Sequence, residues 1–251
     1  MSTTHLAFQD VSIWYGNRKA LDEVTLAVPK NCVLGIVGPA NSGKTSLLKT
    51  INRTIDFIAT ARVEGTVSIN GEDVRRIKNV YALRRRIGMV FPLPVGLPMS
   101  VYENVAFAPR RMGIHDREEL DQIVERCLRQ SVLWNEVKDR LDLLGTRLSG
   151  GQQQRLTLAR ALSLDPEILC LDEFSIAIDP VTTMKIEEVL TGLKEKMTIV
   201  LVTNLTQQAR RMADITAFIN ASELVECGTT DQMFNSPQKE ITGRYLNGEF
   251  G

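Results

Sequence analysis

Two short stretches carry residue types that do chemistry together. Gly38-Pro39-Ala40-Asn41-Ser42-Gly43-Lys44-Thr45 fits the pattern G-x-x-x-x-G-K-[ST], preceded by an apolar run and followed by a segment of helical periodicity. Glycines let the backbone bend until successive N–H groups face one concavity, where they and a helix N-terminus hold anionic phosphate. Lys44 is then suited to neutralise β- and γ-phosphates, and the Thr45 hydroxyl to ligate Mg²⁺. The second stretch, Ile168-Leu-Cys-Leu-Asp172-Glu173, is an apolar strand ending in two carboxylates. Asp172 has the chemistry to support Mg²⁺, and Glu173 to orient or deprotonate a water. Nucleotide binding with attack by water is the chemistry these residue types imply.

Those residues need elements that deliver them. Asn31–Gly38, Ile87–Phe91, Ile168–Asp172, Thr198–Thr203 and Ile215–Ile219 are near-continuous apolar runs, the pattern of strands covered on both faces in a parallel sheet. Helical periodicity over Lys44–Arg53, Gln152–Leu164, Val181–Lys194 and Thr206–Met212 alternates with them and predicts an α/β fold. Residues 6 to 28 and 63 to 71 instead read as short alternating strands, an antiparallel β layer beside the main sheet. Residues 92 to about 157 open with Pro92, Pro94 and Pro98 and then turn helical and charge-rich, as an inserted helical lobe would.

Composition sets outer bounds. The chain has 251 residues with 30 Lys+Arg against 30 Asp+Glu, a balance that argues against a nucleic-acid binder held by bulk positive charge. The 43% hydrophobic content suffices for a core. No run reaches the roughly 18 apolar residues that cross a bilayer, and the start MSTTHLAFQDVS lacks a signal peptide's pattern, so a soluble, cytoplasmic protein is expected. Cys32, Cys127, Cys170 and Cys227 have no C-x-x-C spacing and read as free thiols.

Leu148-Ser149-Gly150-Gly151-Gln152-Gln153-Gln154-Arg155, some twenty residues before Asp172, resembles the signature of the ATP-binding cassette (ABC) family. The resemblance covers essentially the whole chain. It implies a P-loop NTPase (RecA-like) core with an antiparallel β subdomain over residues 1–91 and 158–251, and an inserted helical signature subdomain over 92–157. It further implies ATP and Mg²⁺ as ligands, with contacts from Gly38 through Ser46. Tyr15 in Trp14-Tyr15-Gly16 matches the family's adenine-stacking aromatic. Ser149, Gly150, Gly151 and Gln152 would close over the γ-phosphate held by a second subunit, and Asp179 in Ala177-Ile178-Asp179-Pro180 matches the loop that passes between subunits. Ile51–Asp56, Ala61–Gly65, Pro98–Phe107, Leu133–Arg140 and Gly248–Gly251 are similar to the ATPase subunit of bacterial phosphate-specific importers. That similarity implies a homodimer or heterodimer on membrane permease subunits, fed by an external binding protein, at the cytoplasmic face of the inner membrane. Leu93, Val95, Leu97 and Met99 would offer the permease apolar contact.

Three positions depart from the family pattern. Asn41 replaces a glycine, a change the loop tolerates because Asn accepts positive φ better than other side chains. Pro92 stands where a glutamine reaches Mg²⁺ and water, and proline has neither a polar side chain nor an N–H. Asn204 stands where a histidine bonds the γ-phosphate; it is shorter and cannot carry a proton. From Pro92 and Asn204 together slow turnover is expected; Phe174 also replaces a proline after Glu173, which bears on the approach of that carboxylate. The chain's two histidines, His5 and His115, lie elsewhere.

Overall fold

The structure, a computed structural model, describes residues 3–250, so Met1, Ser2 and the terminal Gly251 of the Gly248–Gly251 segment lie outside the described residues. The chain forms two compact units, Met1–Ile87 with Lys194–Gly251, and Gly88–Leu193. The first unit begins with strands β1 (Thr4–Tyr15), β2 (Arg18–Pro29) and β3 (Val33–Val37), helix α1 (Lys44–Ile51), strands β4 (Ala61–Ile69) and β5 (Glu72–Asp73), and helix α2 (Val80–Arg85). The second comprises β6 (Ile87–Val90), α3 (Val101–Arg111), α4 (Arg117–Gln130), α5 (Trp134–Val137), α6 (Gly150–Leu162), β7 (Ile168–Asp172) and α7 (Pro180–Leu193). The chain then returns to the first unit with β8 (Thr198–Thr203), α8 (Thr206–Met212), β9 (Ile215–Asn220), β10 (Glu223–Thr229), α9 (Thr230–Asn235) and α10 (Glu240–Leu246).

In the first unit the strand order is β5-β4-β1-β2-β10-β9-β3-β8. The apolar run of β3 is buried at every residue, as a central parallel strand requires. It pairs in parallel with β8 (Val33↔Ile199 to Val37↔Thr203) and with β9 (Leu34↔Ile215 to Val37↔Phe218). Gly35 is demanded by packing, since a methyl there would lie 2.9 Å from Ala213 Cβ on the return from α8. β2 alternates, with Val24, Leu26 and Val28 inward, which is the period-2 signal of a half-buried antiparallel strand. The antiparallel strands β1, β2, β4 and β5 join the rest of the sheet through a single pair, Glu223↔Asp22.

The elements after Asn220 carry weak sequence signals, yet they close the core beside β3. Val37, Ala209, Phe218, Met233, Tyr245 and Leu246 form one buried cluster, with the Phe218 and Tyr245 rings stacked at 4.7 Å. In the second unit β7 is buried throughout and lies next to β6 in the sheet order. Ser100 and Asp116 cap α3 and α4 by accepting from Glu103 N and Glu119 N. Cys32, Cys127 and Cys170 are buried free thiols, whereas Cys227 is exposed. Among the described residues no helix is long and apolar enough to cross a membrane.

Candidate functional site

In the first unit, β3 ends at Val37 and the glycine-rich loop turns directly into α1. Gly38 (φ 153°) passes so close to β9 that a methyl there would lie 1.9 Å from the Ile219 carbonyl oxygen. Gly43 (φ 105°) abuts β2, where a methyl would lie 2.4 Å from Ala20 O. Asn41 takes φ 62°, the left-handed conformation its type was expected to tolerate. Gly38→Ala should therefore displace the loop from β9 and abolish nucleotide binding, as nucleotide titration of the folded variant would show. Retention of affinity within about twofold would contradict that account of the turn.

The loop has the features an anion site needs. Lys44 is 5% exposed, and its ammonium donates to Gly38 O at 2.7 Å and Pro39 O at 2.6 Å, inside the loop's own curve. Ser42 is 4% exposed, and its Oγ has no hydrogen-bond partner, so a buried hydroxyl is available in the cradle. No side chain caps the α1 N-terminus, which leaves its first N–H groups and positive dipole end open. Thr45 is the second residue of that helix. These donors fit a polyphosphate.

The first unit also brings Tyr15 and Asn204 to the loop's surroundings. Tyr15 ends β1, and its hydroxyl donates to Ser46 Oγ on α1 at 3.0 Å. Asn204 is the first residue beyond β8, whose last residue Thr203 lies opposite Val37. It is exposed, and the turn after it is held by Leu205 N donating to Thr203 Oγ1.

The second unit gathers the other set. Asp172 is 1% exposed at the end of β7, and Glu173, half-buried, sits at φ 45°. A left-handed glutamate costs on the order of 1–3 kcal/mol and persists only where its surroundings enforce it. Phe174 beside it is 1% exposed, buried where the family pattern has proline. Asp179 caps α7 by accepting from Thr182 N at 2.9 Å, and those backbone hydrogen bonds hold its carboxyl below the usual range.

Ser149 begins α6 in a reciprocal capping box, accepting from Gln152 N while Gln152 Oε1 accepts from Ser149 N at 3.0 Å. Gln152 Nε2 reaches Glu136 at 2.8 Å, so its side chain is engaged within the unit. Arg155, also bonded to Glu136, holds that carboxyl below its ordinary range. Ser149 and Gly150 remain exposed, while Gly151 packs against the loop that carries Asp179, where a methyl would lie 2.8 Å from Ala177 O.

Sequence reasoning missed what the remaining glutamines do. Gln154 Nε2 donates to Phe91 O at 2.8 Å, Gln153 Oε1 accepts from Gly96 N at 3.0 Å, and Thr157 and Arg160 both donate to Val95 O. Buried Asn104 accepts from Leu97 N and donates to Met99 O. The proline-rich loop that includes Pro92, poor in N–H groups of its own, is thus stapled to the signature helix α6. The only sequence sign was the density of amide side chains in Gln152-Gln153-Gln154. Of the four apolar residues expected on that loop's surface, Leu93 and Val95 are exposed at 76% and 50%; Leu97 and Met99 are half-buried.

Comparison with known proteins identifies the fold and the family. The structure of a bacterial Atm1-family ABC exporter with ATP bound matches with a TM-score of 0.84 over 98% of this chain, at 20% identity. This chain spans 42% of that one. The likeness establishes a mixed α/β P-loop NTPase fold. A family model described as ABC transporter matches residues 21–175, more than half the sequence and including both the phosphate loop and the Asp172-Glu173 pair. The chain therefore belongs to the ABC transporter family, as an ATPase domain of that family.

Proposed function

We propose that this chain is the ATP-binding, ATP-hydrolysing subunit of an ABC importer for inorganic phosphate, with turnover attenuated by Pro92 and Asn204. The observation that carries nucleotide binding is the loop itself: buried Lys44, the available Ser42 hydroxyl and an uncapped helix N-terminus at one turn. Gly38 through Ser46 hold the phosphates, Tyr15 stacks on the adenine, and Thr45 and Asp172 are the ligands for Mg²⁺. When bound, the metal offsets charge on the phosphate oxygens. Glu173 orients the water and accepts its proton, Asn204 donates a hydrogen bond toward the γ-phosphate, and Lys44 neutralises it.

Ser149, Gly150, Gly151, Gln152 and Asp179 act toward a second ATP-binding subunit, identical or not. In this reading residues 92–157 are the helical signature subdomain, and the core comprises 1–91 and 158–251. In this reading Leu93 and Val95, which are exposed, offer apolar contact to a membrane permease, with the chain at the cytoplasmic face of the inner membrane. An external binding protein delivers the anion to that permease.

Import of phosphate rests on the sequence segments that resemble importer ATPases, whereas the similar structure is that of an exporter. Reconstitution with permease and binding protein tests the direction: ATP hydrolysis should rise when phosphate-loaded binding protein is added outside. Stimulation by another anion, and none by phosphate, would reassign the substrate.

A second reading, a regulatory clamp that closes on ATP without turnover, is favoured by the same two departures. Pro92 has no side chain to reach a metal, and Asn204 cannot carry a proton. The two readings part on whether removing the Glu173 carboxylate changes phosphate release.

A further inference from the structure

The two most exposed aromatic side chains among the described residues, Phe57 at 74% and Tyr81 at 75%, lie in the first unit and take no part in the site described above. Phe57 ends a 3₁₀ turn, Thr54–Phe57, that follows α1, and Tyr81 is on α2. One arginine joins them into a single surface. The Arg84 guanidinium lies 4.5 Å from the centre of the Phe57 ring, while Arg84 Nε donates to Asn52 O at 3.1 Å and Nη2 to Arg53 O at 2.9 Å. Arg53 closes the seam by donating to Ile77 O at 3.2 Å. On α2, Tyr81 precedes Arg84 by three positions and so shares its face.

The charge of this surface is not that of the whole chain. Lys and Arg balance Asp and Glu at 30 each overall, but residues 52–86 hold eight against four, and residues 75–86 hold six with no carboxylate. Arg75, Arg76, Lys78 and Arg85 are exposed. Asp56 pairs with Arg53 at 2.8 Å, Glu64 with Arg62 at 2.9 Å and Asp73 with Arg75 at 3.6 Å, which leaves the basic excess intact. A protein partner would have to desolvate these cations, the reason interface cores are depleted of Lys. A lipid surface keeps them hydrated among its headgroups and asks only for positive charge with aromatic side chains set among it.

We infer that Phe57, Tyr81 and the basic residues around Arg84 form a docking surface for an anionic lipid bilayer. The chain thereby touches the membrane with its first unit, in addition to the permease contact proposed for Leu93 and Val95 of the second, and it does so whether or not it hydrolyses ATP.

The test is co-sedimentation of the purified full chain, without permease, with vesicles of equal parts phosphatidylglycerol and phosphatidylcholine and with vesicles of phosphatidylcholine alone. The chain should sediment with the first and not with the second, and added salt should release it. Each cation at an anionic surface strengthens partitioning by about fivefold, so Arg76→Gln combined with Lys78→Gln should weaken it by on the order of 25-fold. Phe57→Ala and Tyr81→Ala should each weaken it by on the order of 10-fold. Mg·ADP affinity should stay at the parent value in all these variants, which reports that they are folded.

Failure of the parent to sediment with the anionic vesicles would overturn the inference. So would equal binding to both vesicle types, because charge would then play no part, and so would binding that survives all of these substitutions, because another face would then carry it. Capture of a poly-glutamate peptide through the same residues, with none by the vesicles, would assign the face to an acidic protein segment instead.

Discussion

Asn204→His is expected to raise the steady-state ATP turnover of the purified protein by on the order of 100-fold. The magnitude is that of restoring one donor to charge that develops in the transition state, where single donors contribute about 10²–10³ in rate. The scaffold for the gain already exists. β8 lies parallel to β3 with Thr203 opposite Val37, so residue 204 emerges beside the start of the phosphate loop. Leu205 N is tied to Thr203 Oγ1, and residue 204 is exposed, so a larger ring meets no packing obstacle. Phosphate-release assays under saturating Mg·ATP measure the effect. Brisk turnover in the parent, unchanged by histidine, would overturn the attenuation reading altogether.

Glu173→Gln should have the opposite effect, lowering phosphate release to background while leaving nucleotide affinity within about twofold. General-base assistance of this kind is typically worth about 10²–10⁴ in rate. The amide keeps the shape of the side chain and removes only its ability to take a proton, so the left-handed turn at residue 173 should survive. Release and binding are measured on the same preparation. If the parent already releases no phosphate and the variant is indistinguishable from it, the transport ATPase reading fails and the ATP-driven clamp stands. A parallel loss of nucleotide affinity would mean that the substitution had disturbed the turn instead of the chemistry.

The two variants together also separate a slow enzyme from an inert one. A slow enzyme gains from Asn204→His and loses from Glu173→Gln; an inert clamp responds to neither.

Much of the architecture was legible because its signals are local. The unbroken apolarity of Val33–Val37, Ile168–Asp172 and Thr198–Thr203 marks strands buried on both faces, and all three are buried throughout. The spacing of Gly38, Gly43 and Lys44 is a local requirement of the turn, and Asn41 proved compatible with it at φ 62°. The stretch after Asn220 was harder to read. β10 is half-exposed along most of its length, and α9 and α10 have six and seven residues, too short for a clear helical period. What defines them is packing on Phe218 and Val37, which no local window contains.

The sequence by itself determined the chemistry: which residue types can hold phosphate, which carboxylates follow the strand, and which two positions lack the expected side chains. Those facts follow from side-chain identity and from turn constraints spanning a few residues. Only the tertiary structure decided what the ambiguous side chains do. Ser46 faces Tyr15, 31 positions away. Gln153 and Gln154 hold a loop about 60 residues earlier, 57 and 63 positions away. Phe174 turns inward beside the left-handed Glu173. Hydroxyls, amides and aromatic rings accept many partners of nearly equal strength, so their roles are set by which groups the folded chain brings within about 3 Å.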